Sequence, residues 1–311
     1  MAVQMKNFLR LIRFQNLAML ALMQLLFRFA FFKWQSIPLA LADWQYVLLV
    51  LATMFIAAGG YVINDIFDQE TDSINKPTRK IIGTYISEKN AYNYYVALTT
   101  VGVAIGFYLS NVIMKPSFAA VFIFIAATLY FYATSLKQML LLGNIIVALL
   151  LSLSILIIGV FDLYPATGLD NQKQMRLFFS ILTDYAIFAF IINFLREIVK
   201  DLEDLDGDAQ LQMTTLPIVL GVSKTSKLVF VLSIAPLFIL LRYINMYLME
   251  LLFVVVFLLL FVAGPLLYFT IKMWSAKSKS DFHLLSSVLK WVLFFGILSI
   301  AIINFNLQYN A

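Results

Sequence analysis

Residues 44 to 72 read WQYVLLVLATMFIAAGGYVINDIFDQETD, an apolar run that ends abruptly in a cluster of acids. Within that cluster, Asp65, Asp68 and Asp72 follow i, i+3, i+7 spacing. The same spacing returns later in the chain in a second cluster, formed by Asp201, Asp204 and Asp208. Acids are costly in an apolar chain and tend to mark sites or pathways. Two matched clusters therefore predict a paired cation-binding centre.

The composition predicts that the chain lies in a membrane. Of the 311 residues, 62% are hydrophobic and 13% are charged, whereas soluble proteins average about 25% charged residues. We therefore expect an all-α integral membrane protein. Cysteine is absent, which excludes disulfides, thiolate nucleophiles and cysteine-ligated metals. A bound metal ion would accordingly be held by oxygen ligands.

Nine apolar stretches approach the length of about 20 residues that a helix needs to cross the bilayer core. They lie at about 15–33, 44–63, 91–111, 117–135, 139–161, 177–199, 226–245, 250–272 and 287–307. We expect residues 1–311 to form one polytopic domain, with nine transmembrane helices around a central cavity and two pseudo-repeated halves. Polar segments at about 64–90 and 200–225 are expected to form caps over that cavity.

The basic residues predict an orientation in the membrane. With the N-terminus in the cytoplasm, 16 of the 22 lysines and arginines fall at or near the cytoplasmic face and 6 towards the other side. Such an excess is typical of cytoplasmic loops. Both acidic clusters are then expected on the cytoplasmic face of a bacterial or archaeal cell membrane, with the C-terminus outside. Topology accounts for most of the net charge of +5, so no nucleic-acid partner is expected.

The spacing of the acids predicts how they are used. On one continuous α-helix it would place the three carboxylates of each cluster within an arc of about 60°. Carboxylates so close together stay ionised only if cations or basic side chains neutralise them. Mg²⁺ fits this role, since it takes one or two carboxylates while substrate phosphates and water complete its octahedron. The two clusters would then hold a diphosphate through bridging metals, which stabilise charge on the leaving oxygen.

Four stretches of sequence carry a resemblance to a known family. They are Asn64-Asp65-x-x-Asp68-x-x-x-Asp72, Asn75-Lys76-Pro77-Thr78-Arg79, Tyr132-Ala133-Thr134-Ser135-Leu136-Lys137, and Arg196-Glu197-Ile198-Val199-Lys200-Asp201-Leu202-Glu203-Asp204-Leu205-Asp206-Gly207-Asp208 through Thr215-Leu216-Pro217. In this order they resemble the UbiA superfamily of intramembrane prenyltransferases over essentially the whole chain. Within it, they look most like the digeranylgeranylglyceryl phosphate synthases.

The resemblance implies a Mg²⁺-dependent transfer of an isoprenyl group, geranylgeranyl in the relatives it resembles most, from its diphosphate to geranylgeranylglyceryl phosphate, which makes an ether lipid. The residues of the metal site would be Asn64, Asp65, Asp68, Asp72, Asp201, Asp204 and Asp208. The diphosphate would be contacted by Asn64, Lys76, Arg79, Lys137, Arg196 and Lys200. Of these, Lys137, Arg79 and Arg196 would assist the reaction.

Other interpretations are open at the level of sequence. An aromatic acceptor, as in quinone biosynthesis, would use the same donor site. A cation-coupled transporter would use the carboxylates for its driving ion, although such sites usually lie near the bilayer midplane. Lys137 is also explained as a lysine that extends to the membrane interface, and Arg79 and Arg196 as salt-bridge partners of the acids.

The chain departs from the family pattern in one loop. Many relatives continue from the arginine of the first motif into Pro-Ile-Pro-Ser-Gly, whereas this chain has Lys80-Ile81-Ile82-Gly83-Thr84. Because both prolines are missing, we expect this loop to be less rigid.

Overall fold

The structure is a computed structural model that describes residues 2–75 and 80–309. Within these ranges the chain is helical, apart from loops and one isolated bridge between Ile82 and Ile86. The prediction of nine spans is confirmed for the described residues. Nine helical segments there are long and apolar enough to cross a membrane: Phe14–Phe32, Asp43–Phe67, Glu88–Val112, Pro116–Thr134, Leu142–Ala166, Gln172–Glu203, Val222–Leu248, Leu252–Ser275 and Lys279–Gln308.

The α-helices are numbered in chain order. They are α1 (Ala2–Leu11), α2 (Phe14–Leu25), α3 (Asp43–Phe67), α4 (Gln69–Asn75), α5 (Glu88–Val112), α6 (Ala119–Thr134), α7 (Leu142–Ile158), α8 (Gln172–Glu203), α9 (Leu205–Gln210), α10 (Leu216–Leu220), α11 (Val222–Tyr243), α12 (Leu252–Leu258), α13 (Gly264–Ser275) and α14 (Lys279–Tyr309). Short π-helical turns extend α2, α7 and α11 and join α12 to α13.

The spans differ from the predicted ones mainly at their ends. The last helix begins at Lys279 rather than near residue 287, and α8 continues to Glu203 rather than ending near residue 199. Hydropathy locates the part of a helix that lies in the bilayer core, but the backbone hydrogen bonds of a helix continue into water. As a result α8 carries Asp201 beyond its apolar run.

The chain divides into two compact units, each described here by itself. The first consists of Met1–Gln24, Pro38–Met139 and Leu153–Thr183. Its core contains apolar residues of α1, α2, α3, α5 and α6 and of the segments that follow α1 and α4: Leu11, Ile12, Leu17, Ala58, Val62, Ile63, Ile66, Ile81, Ile82, Ala91 and Ala133. Buried Gln24 adds two hydrogen bonds to this unit. Its side-chain Nε2 donates to the Ser154 carbonyl at 2.9 Å, and its backbone carbonyl accepts from the Tyr46 hydroxyl at 2.6 Å.

Glycines allow the helices of the first unit to pack closely. A Cβ atom on Gly106 of α5 would lie 2.3 Å from the ring of buried Phe122 in α6. A Cβ atom on Gly102, one turn earlier, would lie 3.1 Å from the carbonyl oxygen of Ala52 in α3. Small residues at such points are what lets helices in a bilayer approach each other.

The second unit consists of Leu25–Ile37, Leu140–Ser152 and Asp184–Ala311. Its core draws on α8, α11, α13 and α14 and on the turns that continue α11 and α12. Polar side chains link these helices. The hydroxyls of Tyr185 and Ser299 lie 2.7 Å apart, and Asn306 Oδ1 accepts from the backbone N–H of Phe253 at 2.9 Å. The second bond satisfies one of the donors that the start of a helix leaves without an intrahelical partner.

The two predicted cap segments contain short helices. In the first, α4 is followed by Lys76–Arg79, which lies outside the described residues, and then by the loop from Lys80 to Ile86. The second contains α9 and α10. That the whole chain acts as one domain with pseudo-repeated halves stays a prediction.

The loop after the first motif is well held. Ile81 and Ile82 are buried, and the Tyr85 N–H donates to the Ile81 carbonyl at 2.9 Å. Gly83 has a φ of +82°, in the left-handed region where glycine is favoured. Burial and backbone hydrogen bonds hold this segment without prolines, and the expectation that the loop is less rigid stays a prediction.

We expect Gly106→Ala to lower the thermal unfolding midpoint in detergent, since the added methyl overpacks the contact with Phe122 at a cost of about 1–3 kcal/mol. The matched control is Gly296→Ala in α14, where an added Cβ has nothing within 4 Å. That control should unfold at the parent temperature or above it, because alanine favours a helix by up to about 1 kcal/mol over glycine. Equal midpoints for both variants would contradict the close packing.

Candidate functional site

The first acidic motif spans a break between two helices. α3 ends at Phe67 and α4 begins at Gln69, while Asp68 between them has φ −94° and ψ 4°. Hydrogen bonds continue across the break, since the Asp68 N–H donates to the Asn64 carbonyl at 2.9 Å and the Asp72 N–H to the Asp68 carbonyl at 2.8 Å. The backbone therefore departs from regular α-helix geometry at the middle aspartate.

The second motif is built in the same way. α8 ends at Glu203 and α9 begins at Leu205, and Asp204 has φ −97° and ψ 12°. The expectation of one continuous helix, with its 60° arc of carboxylates, is therefore wrong for both motifs. Acids in the first turn of the new helix, such as Asp72 in α4 and Asp208 in α9, are favourable next to the positive end of its dipole.

Lys137 contacts the middle aspartate of the first motif. It lies in the 3₁₀ turn Leu136–Gln138 after α6, and its Nζ is 2.5 Å from Asp68 Oδ1. The side chains of Lys137 and Asp68 are 9% and 20% exposed. An ion pair so sheltered from water is screened little by salt. The Lys137 ammonium thus contacts an aspartate of the motif. A lysine that only extends to the membrane interface would instead place its ammonium among lipid headgroups.

Asn64 carries a buried oxygen that accepts no hydrogen bond. Its Nδ2 donates to Asp68 Oδ2, and its Oδ1 is shielded from solvent without a donor among the described residues. An unsatisfied buried acceptor costs about 1–3 kcal/mol, so an arrangement of this kind suits a bound ligand that supplies positive charge or a donor. An amide oxygen beside a carboxylate fits the oxygen chemistry of Mg²⁺.

No three acidic or histidine side chains converge closely enough, within residues 2–75 and 80–309, to hold a metal ion by themselves. Mg²⁺ does not require such a group. It is usually bound by one or two carboxylates, with water and substrate phosphates as the remaining ligands. The residues near Asn64 and Asp68 therefore fit a Mg²⁺ site that is completed by a diphosphate.

Asp65 makes a different contact from its neighbours. Its Oδ1 accepts from Arg13 Nη2 at 2.8 Å, and the Arg13 guanidinium lies 4.8 Å from the ring centre of Tyr61. Arg13 lies between α1 and α2, and in the sequence it is one of the basic residues that indicate a cytoplasmic N-terminus. No local pattern indicates this pairing, because 52 residues separate the two partners.

Asp201 of the second motif is held by Asn144, near the start of α7. Asn144 Nδ2 donates to Asp201 Oδ2 at 2.8 Å, and the Asn144 side chain is buried. Sequence reasoning missed Asn144, since one asparagine in an apolar run has no distinctive spacing. Asp208, at the other end of the motif, is also buried.

The predicted diphosphate ligands of the second unit contact an acid. Lys200 Nζ lies 2.6 Å from Glu197 Oε1, and Arg196 Nη1 lies 3.7 Å from the same oxygen. Arg196 Nε also donates to the carbonyl of Ser286 at 3.3 Å. These contacts match the salt-bridge alternative, and binding of diphosphate by either residue stays a prediction. Lys76 and Arg79 lie outside the described residues.

Comparison with known proteins places the chain in a family. The model of the UbiA prenyltransferase family matches residues 20–303. The digeranylgeranylglyceryl phosphate synthase of Sulfurisphaera tokodaii is 30% identical over 240 residues, which cover 76% of this chain and 79% of that protein.

Solved structures show the same fold. One, from work on digeranylgeranylglyceryl phosphate synthase in membranes, matches with a TM-score of 0.63 at 23% identity, covering 96% of this chain and 99% of the other. A UbiA homologue from Archaeoglobus fulgidus bound to GPP and Mg²⁺ matches with a TM-score of 0.59 at 16% identity, covering 95% and 99%. At these identities the likeness concerns the fold alone, whereas the family model covers nearly the whole sequence. The chain belongs to the UbiA prenyltransferase family and is an integral membrane enzyme of that family.

Proposed function

We propose that this enzyme transfers a geranylgeranyl group from its diphosphate to geranylgeranylglyceryl phosphate and so makes an ether lipid. The observation that carries the proposal is the sheltered contact of Lys137 with Asp68, next to the unsatisfied oxygen of Asn64, in a member of a prenyltransferase family. The acceptor follows the name of the Sulfurisphaera tokodaii relative, of which the matched region covers 79%.

The residues of the first motif have distinct roles in this proposal. Asn64 Oδ1 and the carboxylate of Asp68 would hold Mg²⁺, which would supply positive charge next to the leaving diphosphate. Lys137, held in place by Asp68, presents its ammonium to a diphosphate oxygen. Its charge favours the leaving group as the allylic carbon–oxygen bond breaks, because preorganised charge acts most strongly in a site that excludes water.

The second motif is proposed to bind Mg²⁺ and diphosphate through Asp204 and Asp208. Support comes from its construction, since Asp204 has nearly the same backbone dihedral angles as Asp68 and is likewise followed by a short helix with an acid in its first turn. The acceptor hydroxyl then attacks the allylic carbon and loses its proton. No covalent intermediate with the enzyme is required.

The proposal includes an orientation, with the N-terminus and both motifs in the cytoplasm and the C-terminus outside. It is supported by the excess of lysine and arginine that this arrangement gives the cytoplasmic face. Since the chain has no cysteine, single cysteines can report on it. In intact cells, an impermeant thiol reagent should label Gly168→Cys, in the exposed loop before α8, and should leave exposed Lys224→Cys unlabelled. The reverse pattern would contradict the orientation.

The substrate is tested with purified enzyme and geranylgeranyl diphosphate, offered geranylgeranylglyceryl phosphate, a hydroxybenzoate or a naphthoate in turn. We expect product from the glyceryl phosphate, loss of activity with a chelator and recovery with Mg²⁺. Transfer to an aromatic acceptor alone would contradict the ether-lipid proposal and favour quinone biosynthesis. Undiminished transfer in the chelator would contradict the metal.

Variants of the ion pair test the site itself. Asp68→Asn and Lys137→Met should each lower kcat by about 10²–10³-fold, the range seen when one preorganised charge-stabilising group is removed. Lys89→Met, at an exposed lysine near the start of α5, is the matched control and should keep the parent rate. Full prenyl transfer by Asp68→Ala, together with loss of an ion flux, would favour the transporter interpretation instead.

A further inference from the structure

We infer that the first aspartate of each motif is an anchor and not a metal ligand, and that Arg13 and Asn144 are the positioning residues that hold these anchors. Asp65 and Asp201 then fix the end of a long membrane helix just before the break that carries the working residues. This inference rests on the proposed function, because it divides the roles of the aspartates within each motif.

In the first unit two acids at the end of α3 contact different basic residues. Asn64 bonds to Asp68, four residues on, and Asp68 in turn contacts Lys137. The residue after Asn64 points about 100° away from it along the helix. That residue, Asp65, pairs with Arg13 at 2.8 Å, with its side chain 17% exposed. The Arg13 contact is the one that an anchor requires.

Arg13 is suited to a positioning role. It has a φ of +50°, a conformation that residues other than glycine adopt only where their surroundings enforce it. The neighbouring Leu11 and Ile12 are buried in the core of the first unit, and the guanidinium bridges the Asp65 carboxylate and the Tyr61 ring. The turn between α1 and α2 is therefore tied to the last turns of α3.

The second unit has an equivalent contact made from other chemistry. Buried Asn144 of α7 donates a hydrogen bond to Asp201 at 2.8 Å. The contact uses a neutral amide, whereas Arg13 contacts Asp65 with a charged guanidinium. In both units the anchored aspartate lies three residues before the aspartate at the helix break. The rotation of the last helical turn decides where the side chain at the break points. A contact that holds this turn from a neighbouring segment accordingly orients Asp68 or Asp204.

Exchange of the partners distinguishes an anchor from a ligand. Arg13→Asp with Asp65→Arg, and Asn144→Asp with Asp201→Asn, re-form each contact with the roles reversed and leave no carboxylate at position 65 or 201. Asn and Asp have nearly the same shape, so the second exchange remains a test even if the protein does not fold with Arg and Asp exchanged. The four single variants complete both cycles, and Asp68→Asn is the control for a lost ligand.

Three quantities are measured on each purified variant: the thermal midpoint in detergent, the rise of that midpoint with Mg²⁺ and inorganic pyrophosphate, and kcat and KM for prenyl transfer. The single variants should lose about tenfold or more in activity, as expected when a residue that orients a ligand is lost. Each exchange should recover most of the midpoint and the activity. The Mg²⁺ concentration that gives half of the stabilisation should then stay near that of the parent, whereas Asp68→Asn should lose the stabilisation.

The inference is overturned if an exchange restores the thermal midpoint but leaves Mg²⁺ stabilisation and activity as poor as in Asp68→Asn, because the carboxylate itself would then be required. It is also overturned if neither exchange recovers the midpoint, since no anchoring pair would then exist. A parent enzyme that transfers no prenyl group would refute the proposed function alone, and the midpoints of the exchanges would still report whether the anchors exist.

Discussion

The constraint behind this structure is that a carboxylate at the end of a membrane helix needs a partner. The side chains of Asp65 and Asp68 are only 17% and 20% exposed, and an ionised acid that is withdrawn from water without a partner costs several kcal/mol. In the first unit, Arg13 pairs with Asp65 and Lys137 pairs with Asp68. In the second unit, Asn144 donates a hydrogen bond to Asp201. Each contact joins the end of one helix to another part of the same unit, so the charges of the site also organise the packing around it.

The helix breaks at Asp68 and Asp204 follow from the same polarity. A long apolar helix ends where acids begin, and a short polar helix starts with acids in its first turn, where the dipole favours them. In the first unit, the aspartate at the break contacts Lys137 and the aspartate three residues before it contacts Arg13. An acidic stretch that appears uniform in sequence is thus divided by its contacts.

Much of the fold was predictable, because membrane helices obey a strong length rule. Nine apolar runs predict nine spans, and the described residues contain nine. The errors lie where that rule does not apply, as at the start of α14 and the end of α8.

The sequence alone determined that this is a membrane protein, that it has two matched acidic motifs and that it resembles prenyltransferases. Hydropathy, spacing and the order of motifs are properties of the linear chain, so they can be read without a structure. Only the tertiary structure decided which acid meets which partner. Arg13 and Asp65 are 52 residues apart, and Asn144 and Asp201 are 57 apart. Pairing over such distances depends on how helices pack, and packing in a bilayer is decided by side-chain shape and small residues such as Gly106, which leave no periodic signal in the sequence.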